Sequence, residues 1–112
     1  MLDMENPQFS YCDGALNVTV LGDIDHHCAK QIREKIDCAM FRFKPELVML
    51  NLSRVEFMDS SGLGLILGRY NTACDIGADM VICSPSKGVM KILELAGIER
   101  LIKIEGGTKY EA

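Results

Sequence analysis

Leu47-Val48-Met49-Leu50-Asn51-Leu52 is a nearly unbroken apolar run, bounded by Pro45 on one side and Ser53 on the other. A segment this short and this apolar fits a strand covered on both faces, the kind found in parallel sheets joined by helical crossovers. The neighbouring segments supply the crossovers. Ala29, Ile32, Ile36, Met40 and Phe43 recur at helical spacing before it, with Asp25 placed as an N-cap and Pro45 as the stop. Leu63, Ile66, Leu67, Tyr70 and Cys74 give a second helical stripe after it, and Val89, Ile92, Leu93 and Ala96 a third, with Ser86 as its cap and Gly97 at its end. Met80 to Cys83 and Leu101 to Ile104 read as further short strands. Upstream, Leu16, Val18 and Val20 alternate with polar residues within a strand from Leu16 to Leu21, and Asp13-Gly14 turns it back on Phe9 to Cys12 as an antiparallel hairpin. Met1 to Pro7 read as a tail, and Thr108 to Ala112 leave room for a closing helix. The expected fold class is α/β, a mostly parallel mixed sheet with an opening β-hairpin, in the order ββαβαβαβ(α).

At 112 residues the chain is the size of one domain, taken as 1–112, and it can bury a core without staples. Twelve basic residues against 16 acidic give a net charge of −4. Nucleic-acid binding draws most of its affinity from cations that neutralise phosphates, so no nucleic-acid partner is expected. Arg33, Lys35, Arg42 and Lys44 are interleaved with Glu34, Asp37 and Glu46 rather than clustered. No apolar run approaches the roughly 18 residues of a membrane span and no leader pattern opens the chain, so a soluble cytoplasmic monomer without a membrane partner is expected. Cys12, Cys28, Cys38, Cys74 and Cys83 are odd in number and none sits at C-x-x-C spacing, which suggests neither a disulfide framework nor a metal site. They read as free thiols acting as small core hydrophobes.

The chemistry is concentrated where the apolar strand ends. The segment from Leu50 to Gly64 leaves that strand and enters a helix at Asp59 or Ser60. In open α/β sheets, sites gather beyond the carboxyl ends of strands. Asp59 and the serines suit an N-cap, and on spacing alone they need be nothing more. Gly62, Gly64 and Gly68 ask for a further reason, because a glycine within a helix costs about 1 kcal/mol against alanine. Glycines there leave room for another surface to approach. A hydroxyl at a helix N-terminus is also a favourable place for a phosphate, which would add about −1.5 to −2 charges at one point.

Phe57-Met58-Asp59-Ser60-Ser61-Gly62-Leu63-Gly64-Leu65-Ile66-Leu67-Gly68-Arg69-Tyr70 closely resembles the phosphorylation loop and following helix of bacterial anti-sigma factor antagonists, above all the sporulation branch of the sigma-F pathway. Gly22-Asp23-Ile24-Asp25-His26-His27 resembles a second segment of that family, with Asp and Ile for its Glu and Leu. The resemblance implies the sulfate-transporter-and-anti-sigma-antagonist (STAS) fold. It also implies partner switching: the unphosphorylated chain binds an anti-sigma factor that is a serine kinase, and so frees the sigma factor. That kinase, using ATP and Mg, phosphorylates the antagonist and releases it; a serine phosphatase resets it. Carried onto this chain, the phosphorylated residue is Ser60. Asp25, His26, Asp59, Ser60, Ser61, Gly62 and Gly64 make up the partner-binding set. The chain itself would be no enzyme and would hold no cofactor or metal.

Other chemistries are less well served. A hydrolase pairing Ser60 or Ser61 with His26 or His27 lacks the G-x-S-x-G elbow. Adjacent histidines point about 100° apart on a helix, unlike an i, i+4 zinc pair. A receiver-type phosphoacceptor at Asp59 would need an acidic cluster after the first strand to hold Mg²⁺, and Asp13-Gly14 reads instead as a turn. Gly62-x-Gly64 is too short for a dinucleotide fingerprint, and direct nucleotide binding by the chain is left open.

Overall fold

The computed structural model describes residues 5–106. Strands β1 (Gln8–Cys12) and β2 (Ala15–Thr19) form the expected hairpin, with Cys12 opposite Ala15. Its two-residue turn has φ of 50° at Asp13 and 82° at Gly14, the doubly positive geometry whose twist matches the strands it joins. There follow α1 (Ala29–Phe43), β3 (Leu47–Asn51), α2 (Ser60–Asp75), β4 (Asp79–Cys83), α3 (Lys87–Leu95), a 3₁₀ turn (Ile98–Arg100) and β5 (Lys103–Glu105). The sheet runs β1-β2-β3-β4-β5, antiparallel at its first pair and parallel elsewhere. The expected mixed α/β order is therefore present over the described residues. The closing helix proposed for Thr108 to Ala112 lies outside them.

Because spatial order follows chain order, right-handed crossovers put every helix on the same face of the sheet. The burial pattern agrees. Leu16 and Val18, Val48 and Leu50, and Met80 and Ile82 are buried on β2, β3 and β4, while the alternate residues of β3, Leu47, Met49 and Asn51, are only half-buried. This corrects the expectation that β3 is covered on both faces. Its other face carries apolar side chains that the helices do not reach, and an unbroken apolar run cannot distinguish the two cases. Registers bring Val18 opposite Leu50 and Leu50 opposite Ile82, so the centre of the core is a row of β-branched and leucine side chains. None of the helices among the described residues is long and apolar enough to cross a membrane.

Several local expectations change. The first helix begins at Ala29 with Cys28 as its N-cap, and Asp25 lies in the turn before it. It ends at Lys44, whose left-handed backbone (φ 48°) precedes Pro45. Gly97 sits one residue beyond the α3 cap, in the left-handed region, and opens the 3₁₀ turn that delays the last strand to Lys103. The amide of Asn6 is not part of a free tail: it donates to Leu21 O (2.6 Å) and accepts from Leu21 N (2.9 Å). The cysteines are free but do not behave as core hydrophobes. Cys12, Cys38 and Cys74 are exposed, and Cys28 and Cys83 are half-buried. Burial, and secondarily Glu105, raises the Cys83 thiol above its ordinary value.

The second helix shows why periodicity misled. Its buried residues are Gly62, Leu65, Ile66, Arg69 and Ala73, whereas Leu67 and Cys74 face outward. The buried face is turned by about one residue, roughly 100°, from the apolar stripe. Gly62 and Arg69 take core-facing positions that no hydrophobicity pattern assigns to them. Arg69 leaves only 8% of its side chain exposed, and its Nε lies 3.0 Å from Oδ1 of Asp37 on α1. The pair is ionic but not aligned as a hydrogen bond, so Arg69 Nε and Nη1 and Asp37 Oδ1 have no hydrogen-bond partner among the described residues. Desolvation lowers the Arg69 pKa, with the nearby Arg33 acting in the same direction and Asp37 opposing it. Removing one member of such a pair strands a buried charge, while replacing both with apolar groups can be neutral or stabilising. Asp37→Ala is therefore expected to destabilise by about 3 kcal/mol, and Asp37→Leu with Arg69→Met to restore most of that loss, measured by urea midpoints.

Candidate functional site

Parallel pairing puts the carboxyl ends of β2, β3 and β4 at one edge of the sheet. From that edge rise the loops Val20–Cys28, Leu52–Asp59 and Ser84–Ser86. The first two keep pairing after the strands have ended. Gly22 N donates to Arg54 O (3.2 Å), Ile24 N to Phe57 O (3.1 Å) and Asp59 N to Ile24 O (3.2 Å), with Ile24 and Met58 in a parallel bridge. Asp23 adds a side-chain tie, its Oδ1 accepting from Phe57 N at 3.1 Å. The two segments singled out in the sequence are thus neighbours with a defined register. Ile24 and Met58 are both fully buried beneath them.

The third loop supports the second from the other side. Ser86 Oγ donates to Val55 O (2.9 Å) while accepting from Val89 N (3.3 Å), so one hydroxyl both caps α3 and holds the approach to α2. A Cβ on Gly88 would come within 3.3 Å of Glu56 O, which shows how closely the first turn of α3 lies against that loop. Sequence reasoning read Ser86 as a cap alone and did not single out Asp23. The only available signal was that Asp23 lies inside the quoted segment.

On this support Asp59 caps α2. Its Oδ1 accepts from Ser61 N at 2.8 Å and its carbonyl from Gly62 N at 2.9 Å. The Asp59 carboxylate is thereby turned to its own helix. Ser60 is the first residue of α2 and is exposed; its hydroxyl forms no hydrogen bond among the described residues. Ser61 is half-buried beside it. The two glycines differ. Gly62 is buried, and a Cβ there would lie 2.7 Å from Met58 Cβ and 2.9 Å from its sulfur, so its smallness serves the chain's own packing. Gly64 is exposed and a Cβ there would meet nothing within 4 Å. The open backbone expected of both belongs to Gly64.

Asp25 and His26 lie on the adjoining loop. Asp25 Oδ1 accepts from His27 N (2.9 Å) and Cys28 N (3.2 Å), closing the turn before α1. The bond from the Cys28 amide, with smaller help from His27, holds the Asp25 carboxyl below its ordinary value. His26 is exposed, packs edge-on to His27 at 4.9 Å between ring centroids, and borders a groove with Ser61 and Gly64. No imidazole hydrogen-bonds either serine among the described residues, so the hydroxyls have no oriented base of their own. Nor do those residues contain a group of three or more His, Cys, Asp or Glu placed to hold a metal ion. What the site can do is present one free hydroxyl at a helix N-terminus, on a rigid support, to a group brought by another molecule.

Residues 6–109 match the model of the STAS domain family. An anti-sigma F factor antagonist of Paenibacillus polymyxa is 37% identical over 91 residues, covering 81% of this chain and 78% of that protein. The solved structure of the anti-sigma factor antagonist SpoIIAA in its unphosphorylated form is 30% identical with a TM-score of 0.75, covering 88% of this chain and 86% of that one. SpoIIAA of Bacillus in its phosphorylated form is 29% identical, with a TM-score of 0.68 and coverage of 88% and 89%.

Two outcomes separate the parts of the site. Gly62→Ala is expected to lower stability by about 1–3 kcal/mol through overpacking against Met58, and Gly64→Ala to raise it by about 1 kcal/mol, both read from denaturant midpoints. The Asp25 carboxylate should titrate below the usual aspartate value when followed by NMR. Its lowered value means that its contribution is complete at neutral pH and disappears as pH falls through that value, together with hydrogen-exchange protection of the Cys28 amide.

Proposed function

The chain belongs to the STAS domain family, in its anti-sigma factor antagonist branch, and on that premise we propose that it works by partner switching with Ser60 as the phosphate acceptor. Unphosphorylated, it binds an anti-sigma factor that is also a serine kinase, and the sigma factor is freed. The kinase supplies ATP and Mg. The Ser60 oxygen attacks the γ-phosphorus, ADP leaves, and the hydroxyl proton passes to a base on the kinase. The chain is substrate rather than catalyst, acts as a monomer in the cytoplasm, and is returned to its binding form by a serine phosphatase.

The observation that carries this reading is the state of Ser60: exposed, without a hydrogen-bond partner among the described residues, and fixed at the start of a helix whose cap is supplied by its neighbour Asp59. A hydroxyl engaged in capping would have to break that bond to react. Here the division of labour leaves Ser60 free, and Ser61 contributes its amide to the cap. The new phosphate would gain from the dipole of the helix at whose N-terminus it sits. The same charge placed within a closely packed docking face would repel acidic groups and require desolvation, so the partner leaves. Phe57, 54% exposed on the loop three residues before Ser60, offers an aromatic anchor for such a partner. The receiver-type alternative at Asp59 has no such support, because that carboxylate is engaged with Ser61 N.

Intact mass after incubation with the cognate anti-sigma kinase and ATP tests the assignment. One acid-stable phosphate is expected on the wild type and none on Ser60→Ala, with Ser60→Asp binding the kinase at least about tenfold more weakly, or about 1.4 kcal/mol. A phosphate that persists on Ser60→Ala, or one lost in acid, would overturn it.

A further inference from the structure

Beside the acceptor, between the start of α1 and the start of α2, runs a groove of about 390 Å³ bordered by His26, Lys30, Arg33, Ser61, Gly64 and Leu65. Its lining contains no Asp or Glu, although the chain as a whole carries a net charge of −4. We propose that this groove is the docking site for an acidic segment of the partner, with Lys30 and Arg33 reading two of its carboxylates. The proposal rests on the preceding reading that a partner docks at Ser60, and it names the chemistry of that partner's contact.

Lys30 has no ionic or hydrogen-bond partner among the described residues. Among the described residues the one carboxylate paired with Arg33 is that of Glu34, at 4.0 Å, and both side chains are about half exposed at 46% and 58%. Such a contact contributes almost nothing and is easily exchanged. Arg33 also adds to the positive field at Arg69 in the seam between the two helices, where Asp37 pairs with Arg69 and leaves Lys30 and Arg33 as the cations that border the groove. Lys30 and Arg33 are three residues apart on α1, and therefore neighbours on its surface at about 5–6 Å between Cβ atoms. That spacing matches two acidic side chains one turn apart on a helix better than it matches one small anion, which needs donors converging on a point. On the opposite wall, the missing side chain of Gly64 leaves the backbone of α2 open to close approach. Leu65, 4% exposed, closes the floor.

The test compares binding of the full chain to its cognate anti-sigma factor for wild type, Lys30→Glu/Arg33→Glu, Lys30→Arg/Arg33→Lys, Gly64→Ala and Ser60→Asp. Lys30 and Arg33 are exposed, so the reversal should leave the melting temperature near that of the wild type. Charge reversal is expected to weaken binding about tenfold or more at low salt, with a smaller deficit at high salt, while the charge-preserving pair binds as the wild type does. Gly64→Ala should bind more weakly although it folds more stably. Carbodiimide coupling, which joins an amine to a carboxylate in contact, should link Lys30 to an Asp or Glu of the partner. If Ser60→Asp weakens binding but charge reversal does not, the groove proposal fails and the switch stands; if neither weakens it, both fail. Protection of Lys30 from amine modification by ATP alone, with no partner present, would assign the groove to a small anion and overturn the proposal.

Discussion

Helix α2, which begins at Ser60, is held by backbone pairing that continues after the sheet has ended. Beyond Thr19 and Asn51 the chain leaves regular structure, yet Val20 N still donates to Asn51 O, and the Gly22, Ile24 and Asp59 amides continue the exchange to the threshold of α2. This requires β2 and β3 to be parallel and in their observed register. A shift by one residue would invert the alternation that buries Leu16, Val18, Val48 and Leu50, so the core that fixes the register also fixes the site. The position of Ser60 is in this sense a consequence of aliphatic packing several residues away.

That support has three sides, each answering a different physical need. The β2–α1 loop satisfies backbone groups that a loop would otherwise leave to water. The first turn of α3 contributes Ser86 Oγ to the Val55 carbonyl and, through the smallness of Gly88, close contact with Glu56. From within, Met58 fills the space that Gly62 leaves, which seats the start of α2 on the loop that precedes it. A surface built this way can meet a partner with little loss of conformational entropy, since its backbone is ordered before binding. The free hydroxyl, the open glycine and the exposed Phe57 are then the features left facing outward.

Phosphorylation would alter this surface by charge more than by shape. The phosphate would occupy the end of a helix already held by Asp59, so no rearrangement of the fold is needed to accommodate it. The cost falls on the docked partner, which loses a close fit and meets a new anion. The cationic groove on the α1 side, bordered by Ser61, would give such an interface a second region of contact. Binding could then be sensitive to ionic strength there and to phosphorylation at Ser60.

Much of this was written in the chain in local terms. The Asp13-Gly14 turn, the Ser86 cap, the strand–helix alternation and the resemblance around Phe57 to Tyr70 are all signals carried by neighbouring residues. The helical face of α2 was not legible, because Gly62 and Arg69 occupy core-facing positions for reasons that lie elsewhere: Met58 fills the space beside one, and Asp37 on α1 pairs with the other. Nor could the sequence divide the work among Asp59, Ser60 and Ser61, or tell the buried Gly62 from the open Gly64 two residues on. Sequence by itself determined the order of elements and the chemical groups available, since turn preference, capping and apolar period act over a few residues. Only the tertiary structure decided which of those groups face one another and which stay free, because burial and register are settled by contacts between segments far apart in the chain.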